Sequence, residues 1–196
     1  MLAPAFADPP RATQSVFRCV MEAMARPGEV RALTSLPAPP APLGAAAAAL
    51  ALTLLDYETP FWLDPTLAAA PQVREWLRFH TGAPLTVEAA KAAFAFIADP
   101  ARCPAFAEFS LGSLEYPDRS TTLVLQVDGF DRGAPLTLAG PGIKGTQQLR
   151  AAPLPRDFRA RLIANRALFP RGIDLILASS DAIAALPRSL RALEGS

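Results

Sequence analysis

Apolar and polar positions along the chain mark out helices and strands in alternation. Asp8-Pro9-Pro10 has the form of a helix start, an acidic cap with proline in the first turn. Val16, Phe17, Val20, Met21 and Met24 then recur at helical spacing, which predicts one apolar face, and Pro27-Gly28 ends the helix. A short strand is expected over 29–33. Residues 34–43 (TSLPAPPAPL) read as a Pro-rich connector, extended and exposed, within one domain of 1–196. The segment before that connector is too small to hold a core of its own. Residues 44–55, mostly Ala and Leu, predict a helix that is apolar nearly all round and therefore buried. Phe61-Trp62-Leu63 reads as a short strand. Pro71 opens a helix with Val73, Trp76, Leu77 and His80 on one face and Gly82 at its end. Strand alternation follows over 91–98, then a short helix over 104–111 stopped by Gly112.

Residues 120–145 (STTLVLQVDGFDRGAPLTLAGPGIKG) give the strongest strand signal. β-Branched and aliphatic residues fill 120–127, Asp128-Gly129 starts a turn that closes at Gly133, and 134–139 repeats the pattern. The reading is a hairpin at the centre of the sheet, stopped by Gly140-Pro141-Gly142. Beyond it come a strand over 146–150, an amphipathic helix over 155–168 and a buried strand over 173–178. The helix turns Phe158, Leu162 and Leu168 inward and Arg156, Arg159, Arg161 and Arg166 outward. A tail over 179–196 carries a further short helix or strand. Helices alternating with strands argue for an α/β fold, and the hairpin makes its sheet mixed, with helices on the flanks.

Composition changes this picture in two places. Hydrophobic residues make up 51% and charged residues only 19%, below the usual quarter, so apolar surface is left either for a partner interface or as a by-product of Ala-rich helices. A net charge of +1 supplies no field to draw in nucleic acid or a membrane. Cys19, Cys103 and the single His80 cannot make a Cys/His metal site at ordinary spacing or a disulfide framework, which fits a reducing cytoplasm. The start MLAPAFADPPRAT lacks the form of a signal peptide, and the apolar run over 44–55 is too short to span a bilayer. The expectation is a cytoplasmic protein with no bound metal.

Few residues offer chemistry. Gly140-Pro141-Gly142-Ile143-Lys144-Gly145 spells GxGxxG after a strand, but that fingerprint needs a helix to begin at the loop, and the residues that follow lack helical periodicity. A plain turn is the better reading. Lys144 or Lys91 could hold pyridoxal phosphate with Asp174 as partner to the pyridine nitrogen, yet no phosphate-binding cup stands out and no cofactor is expected. His80 is a candidate general base, although its place beside Trp76 and Leu77 suits a packed helix-end histidine better. Asp118-Arg119-Ser120, just before the central strand, form the densest polar cluster at a predicted sheet end. They read either as a site or as a strand cap with an exposed ion pair.

Several stretches, in order over nearly the whole chain, carry a resemblance: 17–24 with Pro27-Gly28, LTLLDYETPFWL over 52–63 and LRFHTGAPL over 77–85 in the first half. Residues 120–127, LAGPGI over 138–143, FPRGIDLIL over 169–177 and Leu186-Pro187-Arg188 continue it. Together they resemble the PhnH family, the H subunit of the bacterial carbon–phosphorus lyase core complex. The resemblance implies a fold like the large domain of pyridoxal-phosphate transferases, without the cofactor. It implies a homodimer that joins the G, I and J subunits. It also implies a part, with the G, I and L subunits, in transferring a phosphonate onto the ribose of ATP with release of adenine, giving α-D-ribose 1-methylphosphonate 5-triphosphate. The iron–sulfur radical chemistry of C–P cleavage belongs to the J subunit in that scheme, and two cysteines cannot hold such a cluster here. No catalytic motif of the family transfers residue by residue. The residues expected to line a ligand- or partner-binding pocket are Asp118, Arg119, Ser120, Arg78 and His80, with guanidinium groups suited to phosphate or carboxylate.

Overall fold

The computed structural model describes residues 5–193. Expectations that fall on residues 1–4 and 194–196, at the two ends of the predicted segments, lie outside the described residues. Helix α1 (Pro9–Ala25) starts as its sequence dictates: the Asp8 carboxylate accepts the Arg11 N–H at 3.4 Å and proline fills the first turn. Strand β1 shrinks to Arg31–Ala32. Helix α2 (Ala45–Leu54) is buried along Ala46–Ala51, as its uniform apolarity requires. Strand β2 (Phe61–Leu63), a short helix α3 (Pro65–Ala68) with no counterpart in the sequence reading, and helix α4 (Pro71–Thr81) follow. Gly82 closes α4 in a left-handed conformation, φ 68°, that a side chain would resist. Then come β3 (Phe94–Ile97), β4 (Thr122–Gln126), β5 (Leu136–Ala139), β6 (Gln147–Leu149), helix α5 (Phe158–Ala167), β7 (Asp174–Ala178), β8 (Ala182–Leu186) and β9 (Arg191–Leu193).

The main sheet has six strands in the order β1-β8-β7-β4-β3-β2. Strands β2, β3, β4 and β7 run parallel; β8 and β1 are antiparallel additions, so the sheet is mixed. Strand β4 sits inside it, with Leu123, Val124 and Leu125 wholly buried, because helices or a second sheet cover both faces. Phe96, Val124 and Ile176 point to the side held by α1, α2 and α4. Ala95, Ile97, Leu123, Leu125, Leu175 and Leu177 point to the other, against α5 and a three-stranded sheet ordered β6-β5-β9.

The predicted central hairpin does not form. Strand β4 pairs with β3 and β7, while β5 leaves for the second sheet and pairs with β6 and β9. The turn chemistry at 128–133 is real, but it redirects the chain between two sheets. An apolar stretch such as TLVLQ satisfies its backbone better with a parallel neighbour on each side than at the edge of a two-stranded ribbon. Three smaller corrections follow the same logic of packing. Phe17 and Met21 are half exposed, since the buried face of α1 is made by Ala12, Val16, Val20 and Ala23. The connector 34–43 is anchored by buried Pro37 and Leu43 and by hydrogen bonds from Gln126 to the Pro42 carbonyl and from Gln72 to the Ala41 carbonyl. The helix expected over 104–111 is a single 3-10 turn, Phe106–Glu108. In α5, Phe158 and Leu162 are buried as expected, with Asn165 as the third inward residue and Leu168 only partly covered. The tail carries strands β8 and β9. Among the described residues no helix is long and apolar enough to cross a membrane.

Candidate functional site

Register fixes the geography. Phe61, Phe94, Thr122 and Asp174 begin the four parallel strands side by side, so the residues before them form one edge of the sheet. Asp118, Arg119 and Ser120 lie on this amino-terminal edge. Open α/β sheets usually bind ligands at the opposite, carboxyl edge. Here a cleft of about 260 Å³ opens at the amino edge, lined by Lys91, Ser110, Asp118, Arg119 and Ser120 with Pro60 and Ala90 among its apolar walls.

The backbone around the cleft is tied down at every turn. The Ser110 hydroxyl donates to the Arg119 carbonyl at 2.8 Å. The Thr121 hydroxyl donates to the Ala92 carbonyl at 2.6 Å and accepts the Ser110 N–H at 3.1 Å. The Tyr116 N–H donates to the Ser113 hydroxyl at 2.9 Å. Gly112 allows the closest approach: a Cβ there would stand 2.8 Å from the Pro117 carbonyl, and φ is +70°. From the far side Arg188 donates to the Pro117 carbonyl while its guanidinium grips Asp174, with Nε at 3.1 and 3.2 Å from the two carboxylate oxygens. The Arg188 N–H also donates to Asp174 at 2.8 Å. Asp174 is thus committed to Arg188 rather than available as a cofactor partner.

The side chains that line the cleft are held differently. The Arg119 guanidinium lies over the Tyr116 ring, 4.2 Å from its centroid, and makes no ion pair among the described residues. Asp118 likewise has no salt-bridge partner there. Ser120 is only 7% exposed, and its hydroxyl, shut off from solvent, has no hydrogen-bond partner among the described residues. Leaving a buried hydroxyl unpaired costs about 1–3 kcal/mol. Lys91 completes the cationic side; its ammonium pairs with Glu88 at 2.7 Å, but both groups are well exposed and such a pair is worth little.

The other two candidates lie elsewhere. Arg78 lines a separate cavity of about 670 Å³ with Arg74, Glu75, Gly82, Pro84 and Leu85. The start of β2 stands between the two hollows: Pro60 lines the cleft, and the Phe61 N–H donates at 3.0 Å to the carbonyl of Pro84, which lines the cavity. His80 packs against Trp76 and Phe79, at 4.8 and 5.0 Å between ring centroids, and lines neither. Asp118, Arg119 and Ser120 therefore meet, Arg78 sits across β2, and His80 belongs to an aromatic cluster. Lys91, weighed above only as a cofactor lysine, and Ser110 went ungrouped with these residues because Lys91 arrives with the start of β3 and Ser110 through its bonds to Thr121 and Arg119. The glycine loop is a turn: β6 follows it, and a Cβ on Gly142 would stand 2.1 Å from the Ala25 carbonyl at the end of α1. Among the described residues no group of three or more His, Cys, Asp and Glu side chains is placed to hold a metal ion.

Comparison with known proteins decides the family. The family described as bacterial phosphonate metabolism protein (PhnH) matches residues 4–192. This chain belongs to the PhnH family. It is 48% identical, over 187 residues, to the α-D-ribose 1-methylphosphonate 5-triphosphate synthase subunit PhnH of Rhizobium meliloti (strain 1021), an alignment covering 95% of this chain and 93% of that protein. It is also 40% identical over 79 residues to the putative C-P lyase subunit protein HtxG of Stutzerimonas stutzeri, covering 40% of each. The ordered resemblance read along the sequence thus extends through both sheets of the PhnH fold.

Proposed function

We propose that this chain is the H subunit of an α-D-ribose 1-methylphosphonate 5-triphosphate synthase, within a carbon–phosphorus lyase complex of phosphonate catabolism. With the G, I and L subunits it serves the transfer of a phosphonate such as methylphosphonate onto the ribose of ATP, with release of adenine. The observation that carries this reading is the 48% identity to the Rhizobium synthase subunit over nearly the whole length of both chains. A homodimer joined to the G, I and J subunits in the cytoplasm is the assembly we infer, with 1–196 as one domain. A parallel core extended by antiparallel strands is compatible with a relationship to the large domain of pyridoxal-phosphate transferases, and the use of Asp174 by Arg188 fits a version of that fold without the cofactor.

Within the complex the chain acts mainly as a structural and accessory subunit. Its enclosed polar groups support that role, because the buried Asp64 and Asn165 are spent on backbone contacts and the partly buried Asp174 on Arg188. A second reading, a subunit with its own ligand pocket, is favoured by one observation, the unpaired Ser120 hydroxyl beside Arg119 and Asp118. Ligand or partner binding then falls to Asp118, Arg119 and Ser120, with Arg78 and His80 as a neighbouring surface across β2. Complementation tests the subunit role: a strain deleted for its own H subunit should regain growth on methylphosphonate as sole phosphorus source when given this chain. No growth, with the chain expressed and the other subunits present, overturns it.

A further inference from the structure

We propose that the amino-edge cleft takes a small tetrahedral oxyanion of the phosphate or phosphonate class in its singly protonated form, and that Asp118 is the residue that selects the proton. The choice of phosphonate among such anions rests on the subunit reading above; the donor set and the carboxylate do not.

The lining of the cleft carries both signs of charge. Arg119 presents several N–H donors in a planar fork and is steadied by stacking on Tyr116 at 4.2 Å, so little freedom is lost when it grips an oxygen pair. Lys91 adds a mobile cation, since its exposed pairing with Glu88 is easily exchanged. Ser120 adds a hydroxyl that finds no acceptor among the described residues. These are the donors an oxyanion needs, and about 260 Å³ suits a compact one.

Asp118 lines the same space, and as a carboxylate it only accepts. A fully deprotonated anion would meet it as a like charge. A P–OH group would donate to it. Phosphoryl groups keep a titratable proton near neutrality, with a second pKa of about 6, whereas sulfate carries none in that range. One carboxylate among cations and a hydroxyl therefore discriminates by hydrogen-bond polarity, which excludes the wrong ligand by leaving it facing an unpaired acceptor. The clamped backbone makes this selection sharp, because Ser110, Gly112 and Arg188 keep the 116–120 turn from relaxing to accommodate the wrong anion.

The test is isothermal titration of the full-length chain with methylphosphonate, inorganic phosphate and sulfate at matched ionic strength. Methylphosphonate and phosphate should bind, and sulfate should bind roughly tenfold more weakly or less. Asp118→Asn, which can donate as well as accept, should bring sulfate level with phosphate. Ser120→Ala and Arg119→Lys should each weaken phosphate and methylphosphonate severalfold, whereas Arg132→Ala, in the exposed turn between β4 and β5, should leave both unchanged. Competition by ATP tells whether the oxyanion arrives free or as the end of a triphosphate; either origin meets the proposal. Equal binding of sulfate and phosphate to the unaltered chain overturns it, as does no binding of any anion at millimolar concentration, or a loss confined to Arg132→Ala. Each variant is checked by its melting curve, so that a folding defect is not mistaken for a lost ligand. Absent binding with complementation intact refutes the cleft and leaves the subunit reading; binding without complementation does the reverse.

Discussion

The two edges of the parallel sheet use polar residues in opposite ways. At the carboxyl edge, the Asp64 carboxylate is 3% exposed and accepts three N–H groups, from Leu67 at 2.9 Å and from Ala98 and Asp99 at 3.0 Å each. It caps α3 and staples the end of β2 to the end of β3. Gln126, at the end of β4, accepts the Gly44 N–H at 2.6 Å and donates to the Pro42 carbonyl at 3.1 Å, fixing the connector over that edge. Ser179 closes the β7–β8 turn through the Ala182 backbone. Every one of these groups is satisfied. At the amino edge the backbone is equally well tied, yet among the described residues Arg119 and Asp118 have no ion-pair partner and the Ser120 hydroxyl has no hydrogen-bond partner. Polar density alone would not separate the two edges; the buried Ser120 hydroxyl, unpaired among the described residues, does. At the edge where α/β sheets usually keep their sites, the buried polar groups named here are spent on structural contacts.

Substitutions can break this contrast, and the largest effect belongs to the sealed edge. Asp64→Ala leaves one buried and two part-buried N–H groups unpaired and should cost about 3–5 kcal/mol in urea unfolding. A loss below about 1 kcal/mol would mean that the carboxyl edge is not held by that carboxylate. Arg188→Ala comes next: it strands Asp174, whose side chain is 19% exposed, and frees the Pro117 carbonyl, for an expected loss of about 2–4 kcal/mol. It should also weaken anion binding at the cleft, an effect that destabilisation remote from the cleft would not produce.

Ser120→Ala sharpens the comparison, because the sign should change. Removing an unpaired buried hydroxyl should leave stability unaltered or raise it by up to about 1 kcal/mol, read as a shift of the urea midpoint. A clear loss would show that the hydroxyl has a structural partner and would dissolve the difference between the edges. The smallest effect concerns the thiols. Burial pushes the Cys103 thiol up to about 11, only partly offset by Arg161, whose guanidinium donates to the Cys103 and Pro104 carbonyls at 3.0 and 2.7 Å. Cys19 is also raised, mainly by burial, but it is less enclosed. At pH 8 both stay largely protonated, and a thiol reagent should modify Cys19 well before Cys103 without disturbing the fold.

What the sequence disclosed depended on how local the cause was. Helix α1 was legible because Asp8 and Pro9 carry their own capping chemistry, and α4 because Pro71 and Gly82 mark both of its ends. The apolar saturation of 45–54 likewise announced burial. The supposed hairpin misled because Asp128-Gly129 and Gly133 are turn residues wherever the next strand goes. Whether β5 folds back on β4 is settled by partners 9 to 56 residues away, Gln147–Leu149 and Arg191–Leu193. Helical spacing placed Phe17 and Met21 near Val16 and Val20 but could not say how wide a face α2 would cover. The site was half legible for the same reason. Asp118, Arg119 and Ser120 are neighbours in sequence, whereas Lys91 and Ser110 join them only across strands, and Arg78 and His80 face a different hollow and an aromatic cluster.

Exposed apolar side chains such as Phe17, Met21, Phe79 and Val87 remain on the surface, as a subunit's interfaces would require. The most direct measurement is therefore affinity capture of the tagged chain from cells grown on methylphosphonate as sole phosphorus source, followed by native mass determination of what is retained. The account expects the G, I and J subunits in fixed ratio with this chain. Recovery of the chain alone, as a discrete monomer or dimer from cells that express the other subunits, would contradict it.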